Sequence, residues 1–418
     1  MAYSYCGSLD TNLINIVMLC TDVRRYFPGL EDKTFLDAAC VSLIPVQAKE
    51  AIVSFLDQAL VCPARDASYH HIAMDEAKLV AVHEAARLLS ADIPEIALVE
   101  STTHGLNIAA NAIPLSQGDN ILLSDLEFLQ VAIPWSVKAQ TLGVEIRQIP
   151  NRDGRILIED ISDRIDERTR VICISSVQWS NGYQIELQAL SQLTRSRGIY
   201  LVVDAVQQLG AFELNVQQTP VDFLTCGGHK WLNAPFGAGI LYIRRELISQ
   251  LNPAQWGYLA LEDPEEGWGN YFATPSITPF RPYNFQQTAK KFEIAGTSNY
   301  PGAIGLGASL KLINDIGIKN IESHIRHLTD LLFAGLQEVG VKIVSHADPS
   351  CRSGIVTFSV GETVQDNQRL LQHLLDERIL VAIRYTGGIG GIRVSVHFFN
   401  NQTDIERLVA TIKNYKHR

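Results

Sequence analysis

The sequence lacks paired cysteines and long apolar runs. Its seven cysteines stand apart, at positions 6, 20, 40, 62, 173, 226 and 351, and none forms a CxxC pair. This pattern excludes a disulfide-stabilised scaffold and an obvious zinc site, and it fits a reducing compartment. No apolar stretch is long enough to span a bilayer. We therefore predict a cytoplasmic protein with no bound metal and no membrane partner.

An excess of basic residues is also missing. Lys and Arg number 35 against 45 Asp and Glu, which gives a net charge of −10. No basic surface is therefore expected to gather a nucleic-acid backbone, and we predict that nucleic acid is not a partner. The mild acidity does not identify a substrate.

The apolar run near the start of the sequence is too short for a membrane span. Residues 13–20 are interrupted by Asn15, and no basic segment precedes them. This composition is typical of a buried helix rather than of a signal peptide.

Length and composition favour two folded domains. The 418 residues are 46% hydrophobic and 19% charged, which is enough apolar material for large cores and exceeds what one core holds. We divide the chain into an N-terminal helical segment that packs with the small domain, a large domain, and a linking helix followed by a small α+β domain. Their bounds are 1–30, 31–300 and 301–418.

The middle of the chain alternates between apolar strands and amphipathic helices. Predicted strands at 96–99, 120–123, 144–147, 171–174, 200–203, 223–225 and 239–243 enclose helices such as 105–112, 131–141 and 187–197. This pattern predicts a mainly parallel sheet with helices on both faces. Ligands bind beyond the carboxyl ends of such strands, so residues just after each strand are the candidates for chemistry.

Outside this region the pattern is less regular. Helices are predicted at 46–60, 75–90 and 301–316, and the C-terminal lobe should run helix, strand, strand, helix. Between 251 and 292 the regular spacing of apolar residues ends, and the stretch is rich in Pro, Gly, Trp and Tyr. We interpret this stretch as an ordered excursion over a site, in which Tyr258, Trp268, Tyr271, Arg281 and Tyr283 shape a pocket.

An acidic residue and a lysine follow two of the predicted strands. Asp204 ends the apolar strand 200–203, and Lys230 comes after a second strand and the pair Gly227-Gly228. Two opposite charges at strand ends of one sheet project into one crevice. The alternative is a surface lysine and an unrelated strand-end acid, which are common in α/β proteins.

With its neighbouring motifs, this pair resembles the class V aminotransferase family of pyridoxal-phosphate (PLP) enzymes. The likeness runs from about residue 37 to the C-terminus and is greatest to the cysteine desulfurase, cystine lyase and isopenicillin N epimerase branch. It implies an α/β fold of PLP-dependent fold type I, with PLP bound by the large domain. It also implies that Lys230 holds PLP and moves a proton at the substrate α-carbon, and that Asp204 faces the pyridine nitrogen. Gln207 then lies near the phenolic oxygen, and His229 contacts the phosphate or orients the lysine.

Other motifs supply further cofactor contacts by the same resemblance. Thr102 and Thr103 open a helix after a strand, where hydroxyls and free N–H groups suit a phosphate, although one of them could simply cap the helix. Phe128 stands where desulfurases usually have histidine, so it can stack on the ring but cannot donate a proton. Trp179 lines the substrate side or is a core residue. Thr297 reaches the phosphate in the neighbouring subunit of a homodimer.

Two arginines near the C-terminus are candidates for the carboxylate of an amino-acid substrate. A guanidinium presents parallel N–H donors that match a carboxylate. The resemblance points first to Arg393, in the segment 391–395. Arg384 is the alternative, and it could instead form an ordinary surface ion pair.

The glycine-rich segment 384–391 is informative by what it omits. Desulfurases carry a persulfide-forming cysteine on a loop here, and this sequence has none; the nearest upstream cysteine is Cys351. A thiolate is needed to take sulfur from the substrate, so persulfide transfer is disfavoured unless Cys351 or Cys226 supplies it. The glycines indicate a mobile flap or a turn close to the ligand.

The resemblance therefore implies a PLP-dependent enzyme acting at the α-carbon of an amino acid through an external aldimine and a quinonoid. We expect lyase or aminotransferase chemistry. The alternatives are cysteine desulfurase-like sulfur mobilisation, amino-acid epimerisation or racemisation, and a non-catalytic protein of the same fold. A nucleotide-binding loop at 386–391 is disfavoured because no Lys-Ser or Lys-Thr pair follows it.

Overall fold

A computed structural model of the chain describes residues 23–294 and 296–417. The predicted helix at 13–20, and most of the predicted N-terminal segment 1–30, lie outside the described residues. None of the described helices is both long and apolar enough to cross a membrane. The cytoplasmic location stays a prediction.

The large domain is built around a twisted sheet, with helices packed on it. After the short strand β1 (Thr34–Phe35), its elements run α1 (Val46–Val61), α2 (Ala67–Ala77), α3 (Leu79–Leu89), β2 (Ile96–Val99), α4 (Thr102–Ala112), β3 (Asn120–Ser124), α5 (Leu129–Leu142), β4 (Glu145–Ile149), α6 (Ile158–Ser162), β5 (Thr169–Ser175), α7 (Leu187–Arg197), β6 (Tyr200–Asp204), β7 (Phe223–Gly227), β8 (Gly239–Ile243), α8 (Arg245–Ile248) and α9 (Trp268–Tyr271). The predicted alternation of strands and helices is confirmed.

The sheet brings the predicted strand ends to one edge. In the described part of the chain it has seven strands in the order β2-β8-β7-β6-β5-β3-β4. The strands from β4 to β7 are parallel, and β8 is antiparallel to both of its neighbours. Asp204 is paired with Ser175 of β5 on one side and with Thr225 of β7 on the other. The mainly parallel sheet predicted for fold type I is therefore confirmed, and its carboxyl edge carries Asp204.

The small domain begins with two long helices and contains a second sheet. Its elements are α10 (Tyr300–Ile316), α11 (Ile318–Val339), β9 (Lys342–Ile343), β10 (Ile355–Ser359), α12 (Val364–Asp376), β11 (Ile379–Leu380), β12 (Ala382–Thr386), β13 (Ile389–Ser395) and α13 (Gln402–Lys416). The antiparallel sheet has the order β12-β13-β10-β9. The predicted order of helix, strand, strand, helix was too simple, because the lobe has five strands, of which β9 and β11 are only two residues long and leave no periodic signal in the sequence.

The glycine-rich segment 384–391 forms a β-hairpin with a tight turn, and the predicted closeness of this turn to a ligand stays a prediction. β12 pairs with β13 in antiparallel register, with Arg384 opposite Gly391. Gly387 and Gly388 make the turn with φ values of 54° and 78°, a left-handed conformation that glycine adopts without steric cost.

The helix predicted over 75–90 is two helices. The chain turns at Lys78, whose ammonium is buried and forms ion pairs with Asp75 at 3.0 Å and Glu293 at 3.4 Å. The apolar spacing continues across the turn, so periodicity could not reveal it.

The segment before α1 connects the two domains. β1 pairs in parallel with β11, and the Ser395 N–H donates to the Leu36 carbonyl. Upstream, Arg24 forms an ion pair with Asp404 of α13 at 2.8 Å. The stretch that follows β1, residues 37–42, is called the crossover loop below; it runs from the small sheet towards the carboxyl edge of the large one.

Candidate active site

Lys230 and Asp204 occupy the crevice at the carboxyl edge of the sheet. Burial lowers the pKa of the Lys230 amine, which favours its neutral form, and the Asp204 carboxylate opposes this effect. Within the described residues neither side chain forms an ion pair closer than 4 Å. The Lys230 Nζ lies 5.9 Å from the centre of the Phe128 ring. The Lys230 amine and the Asp204 carboxylate therefore lie in the same crevice, and neither forms a salt bridge with another described residue.

The Asp204 carboxylate is buried and only partly satisfied by the protein. Its Oδ1 accepts a hydrogen bond from the Val206 N–H at 2.9 Å. Burial raises its pKa to about 6, although the Val206 N–H and Lys230 act against the increase. A buried carboxylate without a cationic partner suits a ligand that carries a protonated ring nitrogen.

A second buried carboxylate, Glu127, lies beside this pair and had no predicted role. Its oxygens accept hydrogen bonds from the Ser175 N–H at 3.0 Å, from the Ser175 hydroxyl and from the Gln178 amide at 3.2 Å. Burial raises its pKa to about 7, and the nearby Asp204 charge contributes. The sequence could have identified Glu127 as a site residue, because it directly precedes Phe128 and comes just after a buried strand.

Three backbone and side-chain groups form a cradle at the start of α4. The Gly227 N–H donates to the Thr102 hydroxyl at 2.8 Å, which joins β7 to the helix. A Cβ at position 227 would lie 3.0 Å from that hydroxyl and 3.2 Å from the His229 Nδ1. Burial, aided by the Lys230 charge, lowers the pKa of His229 to about 4, so its ring is neutral. Thr103 is exposed on the first turn, and Ser101 is the residue that caps the helix.

Gln207 connects the floor of the crevice to the crossover loop. Its amide nitrogen donates to the Ala39 carbonyl at 3.1 Å, and its oxygen accepts from the Trp231 indole at 2.8 Å. The side chain is 3% exposed. One amide hydrogen of Gln207 is left for the predicted contact with the phenolic oxygen.

Two aromatic residues form one wall of the crevice. Phe128 and Trp179 meet edge to face with ring centroids 5.2 Å apart. Phe128 is 43% exposed, which leaves ring surface accessible at the crevice. Both predicted aromatic residues therefore lie on the same side of Lys230.

The small domain contributes the two candidate arginines. Arg393, 1% exposed, donates to Asp37 at 3.0 Å and to the Trp179 carbonyl at 2.9 Å. Its Nε has no partner in the part of the chain that is described. Arg384 donates to the Ile383 carbonyl at 2.8 Å and to the Cys40 sulfur at 3.4 Å. Among the described residues Arg384 does not form the surface ion pair that was the alternative to substrate binding.

The Asp37 carboxylate connects this cationic side to the rest of the site. Burial raises its pKa, while Arg393, Arg384 and Lys230 all act to lower it. Neither Asp37 nor Cys40 was predicted, because their partners lie at the opposite end of the chain.

The remaining predicted residues lie at the surface. Thr297 is exposed, and the contact predicted for it in a homodimer stays a prediction. The 256–285 excursion packs against α2 around a cavity of about 480 Å³ lined by Tyr69, Asp75, Tyr258, Trp268 and Phe272, among others. As far as the structure is described, neither Lys230 nor Asp204 lines this cavity. The proposed role of the excursion in the substrate pocket therefore stays a prediction.

Comparison with known proteins extends the likeness over nearly the whole chain. Residues 34–408 match the family described as Aminotransferase class-V. A probable cysteine desulfurase of Methanothermobacter thermautotrophicus is 27% identical over 95% of this chain and 98% of its own length. A cysteine desulfurase of Cronobacter sakazakii is 28% identical over 93% of this chain and 96% of its own.

Solved structures agree with the fold. The apo cysteine desulfurase of Thermococcus onnurineus superposes with a TM-score of 0.82 at 26% identity, covering 94% of this chain and 97% of that one. The cystine C-S lyase C-DES, in complex with its product cysteine persulfide, gives a TM-score of 0.82 at 23% identity, over 93% and 99% of the two chains.

The residues of the crevice fit PLP. An amine kept neutral by burial is suited to the aldehyde, and an unpaired buried carboxylate is suited to a ring nitrogen. The cradle of Thr102, Gly227 and His229 opens next to a helix N-terminus, where a phosphate is favoured. Phe128 provides an accessible ring face.

Proposed function

The chain belongs to the class V aminotransferase family of PLP-dependent enzymes, and from this premise we propose that it cleaves the carbon–sulfur bond of a cysteine-type amino acid. The proposed reaction is sulfur mobilisation of the kind catalysed by cysteine desulfurases. The sequence favoured lyase or aminotransferase chemistry in general and ranked desulfuration lower. The comparisons favour the lower-ranked alternative, because three of the four proteins reported above are named cysteine desulfurase or probable cysteine desulfurase, and each matches over nearly its full length.

The observation that carries this proposal is the clustering of two arginines and a thiol beside Lys230. Arg393 and Cys40 both lie near enough to Lys230 to influence its charge, and Arg384 contacts the Cys40 sulfur. Such a cluster suits a small substrate that carries both a carboxylate and sulfur.

PLP, when bound, captures an amine through its aldehyde and draws electrons from the α-carbon into its ring. In our proposal the Lys230 amine, made less basic by burial, takes the proton from the substrate α-carbon and returns it during the reaction. Asp204 keeps the ring nitrogen protonated. Phe128 covers the ring and excludes water from it.

The arginines orient the substrate. We propose that its carboxylate binds between Arg393, through the unpartnered Nε, and Arg384. The Asp37 ion pair and the Trp179 carbonyl fix the Arg393 guanidinium in place, so little entropy is lost when the substrate binds. The neutral His229 and the Thr102 hydroxyl hold the phosphate end.

A second candidate, C–S lyase action on cystine, is favoured by one specific observation. The hairpin 384–391 carries no cysteine. Elimination from cystine needs no protein thiol, because both sulfur atoms leave together as a persulfide of the departing cysteine. The two reactions have different products. Desulfuration of cysteine yields alanine, whereas elimination from cystine yields pyruvate and ammonia.

Product analysis tests the proposal. Purified PLP-loaded protein is incubated separately with L-cysteine and with L-cystine, and alanine, pyruvate and sulfide are measured, with the Lys230→Ala variant as control. We expect alanine from cysteine. Pyruvate from cystine alone would favour the lyase. A keto acid that retains its sulfur, or an inverted α-carbon with no cleavage, would replace the proposal with transamination or epimerisation.

A further inference from the structure

The crossover loop is held against the cofactor-binding residues at two points. The Ala39 carbonyl accepts from the Gln207 amide at 3.1 Å, and the Ser42 N–H donates to the His229 carbonyl at 2.9 Å. Cys40 and Val41 lie between these anchors. The position of Cys40 is therefore set by Gln207 and by His229, the residue directly before Lys230.

The Cys40 thiol faces the cationic side of the crevice. Its sulfur accepts a hydrogen bond from the Arg384 Nη2 at 3.4 Å, and the side chain is half-buried. It lies near enough to Lys230 and Arg393 to influence both charges. In the same place the Nε of Arg393, a side chain that is 1% exposed, has no partner among the described residues, which indicates a ligand with an anionic group.

The other described cysteines are badly placed for chemistry in the crevice. Cys173 and Cys226 are completely buried in the large sheet, and burial raises the pKa of both thiols far above the ordinary value. Cys62 is exposed at the end of α1, and Cys351 lies beside Ser350 on a surface turn. Of the cysteines in the described ranges, Cys40 alone contacts a candidate substrate-binding arginine.

We propose that Cys40 is the sulfur acceptor of this enzyme and carries the sulfur as a persulfide. This inference rests on the proposed cleavage of cysteine. The Cys40 sulfur attacks the sulfur of the bound cysteine, and a sulfur–sulfur bond forms as the bond between that sulfur and Cβ breaks. The electron pair of the broken bond passes to Cβ, which takes up the proton lost by Cys40.

The products of this step are alanine and a Cys40 persulfide. The two sulfurs of the new bond together lose the two electrons that Cβ gains, so the step needs no external oxidant. Arg384, already bound to the thiol, holds the persulfide anion after transfer. The crossover loop thus supplies the thiol, and the hairpin supplies the cation.

Mass spectrometry of the intact holoenzyme tests this assignment. PLP-loaded protein is incubated with L-cysteine, treated with an alkylating reagent that preserves persulfides, and digested. We expect the peptide that contains Cys40 to gain one sulfur atom. Cys40→Ala and Cys40→Ser should lose this adduct to the level of unloaded protein, whereas Cys351→Ala and Cys62→Ala should retain it. The absorbance of bound PLP verifies that each variant is folded and loaded.

The possible outcomes separate the inference from the proposed function. A persulfide on the Cys40 peptide that is absent from Cys40→Ser supports the inference. Full alanine formation by Cys40→Ser, or a persulfide on a different cysteine, overturns it and leaves carbon–sulfur cleavage intact. Absence of alanine and sulfide from every variant that has normal PLP absorbance rejects the proposed function, and the inference with it.

Discussion

The two sides of the crevice are built in different ways. On the cofactor side, Asp204 ends β6 and Lys230 follows the adjacent strand β7, and neither charge forms an ion pair within the described ranges. On the substrate side, Arg393 and Arg384 come from a hairpin of the small domain, and each already contacts the crossover loop. The comparison teaches that the cofactor side is organised to receive a ligand, whereas the substrate side also joins the two domains.

The largest effect should come from removing the lysine of the cofactor side. Lys230→Ala eliminates both the proposed covalent attachment of PLP and the proposed base, so kcat should fall about 10³-fold or more. Activity and the absorbance of bound PLP are measured together. Lys311→Ala, an exposed lysine on α10, is the matched control. Near-normal turnover in Lys230→Ala would contradict the proposal that Lys230 binds the cofactor on this side of the crevice.

Arg393 should matter for folding as well as for binding. Arg393→Met leaves the half-buried Asp37 carboxylate and the Trp179 carbonyl without their partner, and we expect the free energy of unfolding to fall by about 2 kcal/mol. Denaturant titration measures the change. Unaltered stability would show that the substrate side does not hold the domains together.

Asp204, unlike Arg393, should lower the stability of the fold while supporting activity. Its pKa is raised from 3.8 to about 6 by burial, so the folded state binds the proton more tightly than the unfolded state does. Below pH 3.8 the carboxyl is neutral in both states and costs nothing. As the pH rises through 6 the folded state must hold a buried charge, which costs up to about 3 kcal/mol.

Asp204→Asn should therefore stabilise the cofactor-free protein above pH 6, have no effect on stability near pH 3.8, and lose activity. Thermal unfolding of the two proteins across this pH range measures the difference. Asp222→Asn is the control, because Asp222 is ion-paired with Arg244 at 2.8 Å and its loss should destabilise. A destabilised Asp204→Asn protein at neutral pH would contradict the interpretation of the cofactor side.

Arg384 should affect binding without affecting folding. It forms no ion pair among the described side chains, so Arg384→Met should change the free energy of unfolding by less than about 0.5 kcal/mol. The KM for cysteine should rise about 10- to 100-fold, the loss expected when a hydrogen bond to a charged group is removed. Steady-state kinetics of Arg384→Met and Arg393→Met compare the rise in KM for cysteine, and equal rises would show that the two arginines contribute equally to binding the substrate carboxylate.

The smallest effect should come from the phosphate cradle. In Gly227→Ala the new methyl group lies 3.0 Å from the Thr102 hydroxyl, and we expect PLP binding to weaken by about 1 kcal/mol. Gly29→Ala, whose methyl group makes only ordinary contact with Leu43, is the control. Equilibrium titration with PLP, followed by absorbance, compares the variants.

Much of the cofactor side was predictable because strand periodicity and residue order are local properties. Predicted apolar strands of three to five residues placed Asp204 and Lys230 at one edge of the sheet. The phosphate-side threonines and Phe128 were predicted from the resemblance to the family. Predictions failed where local pattern was ambiguous, as at the turn in the 75–90 helix and in the strands of the hairpin.

The substrate side depended on contacts between distant parts of the chain. Arg393 and Asp37 are 356 positions apart, and Arg384 and Cys40 are 344 apart. No local periodicity encodes such pairs, because they form only when β1 adds to the small domain and draws the crossover loop across the crevice. The resemblance to the family was thus enough to predict the cofactor, and residue order was enough to predict that Lys230 and Asp204 lie at one edge of the sheet. Only the packing of the two domains decided which carboxylate holds Arg393 and which thiol lies beside Arg384.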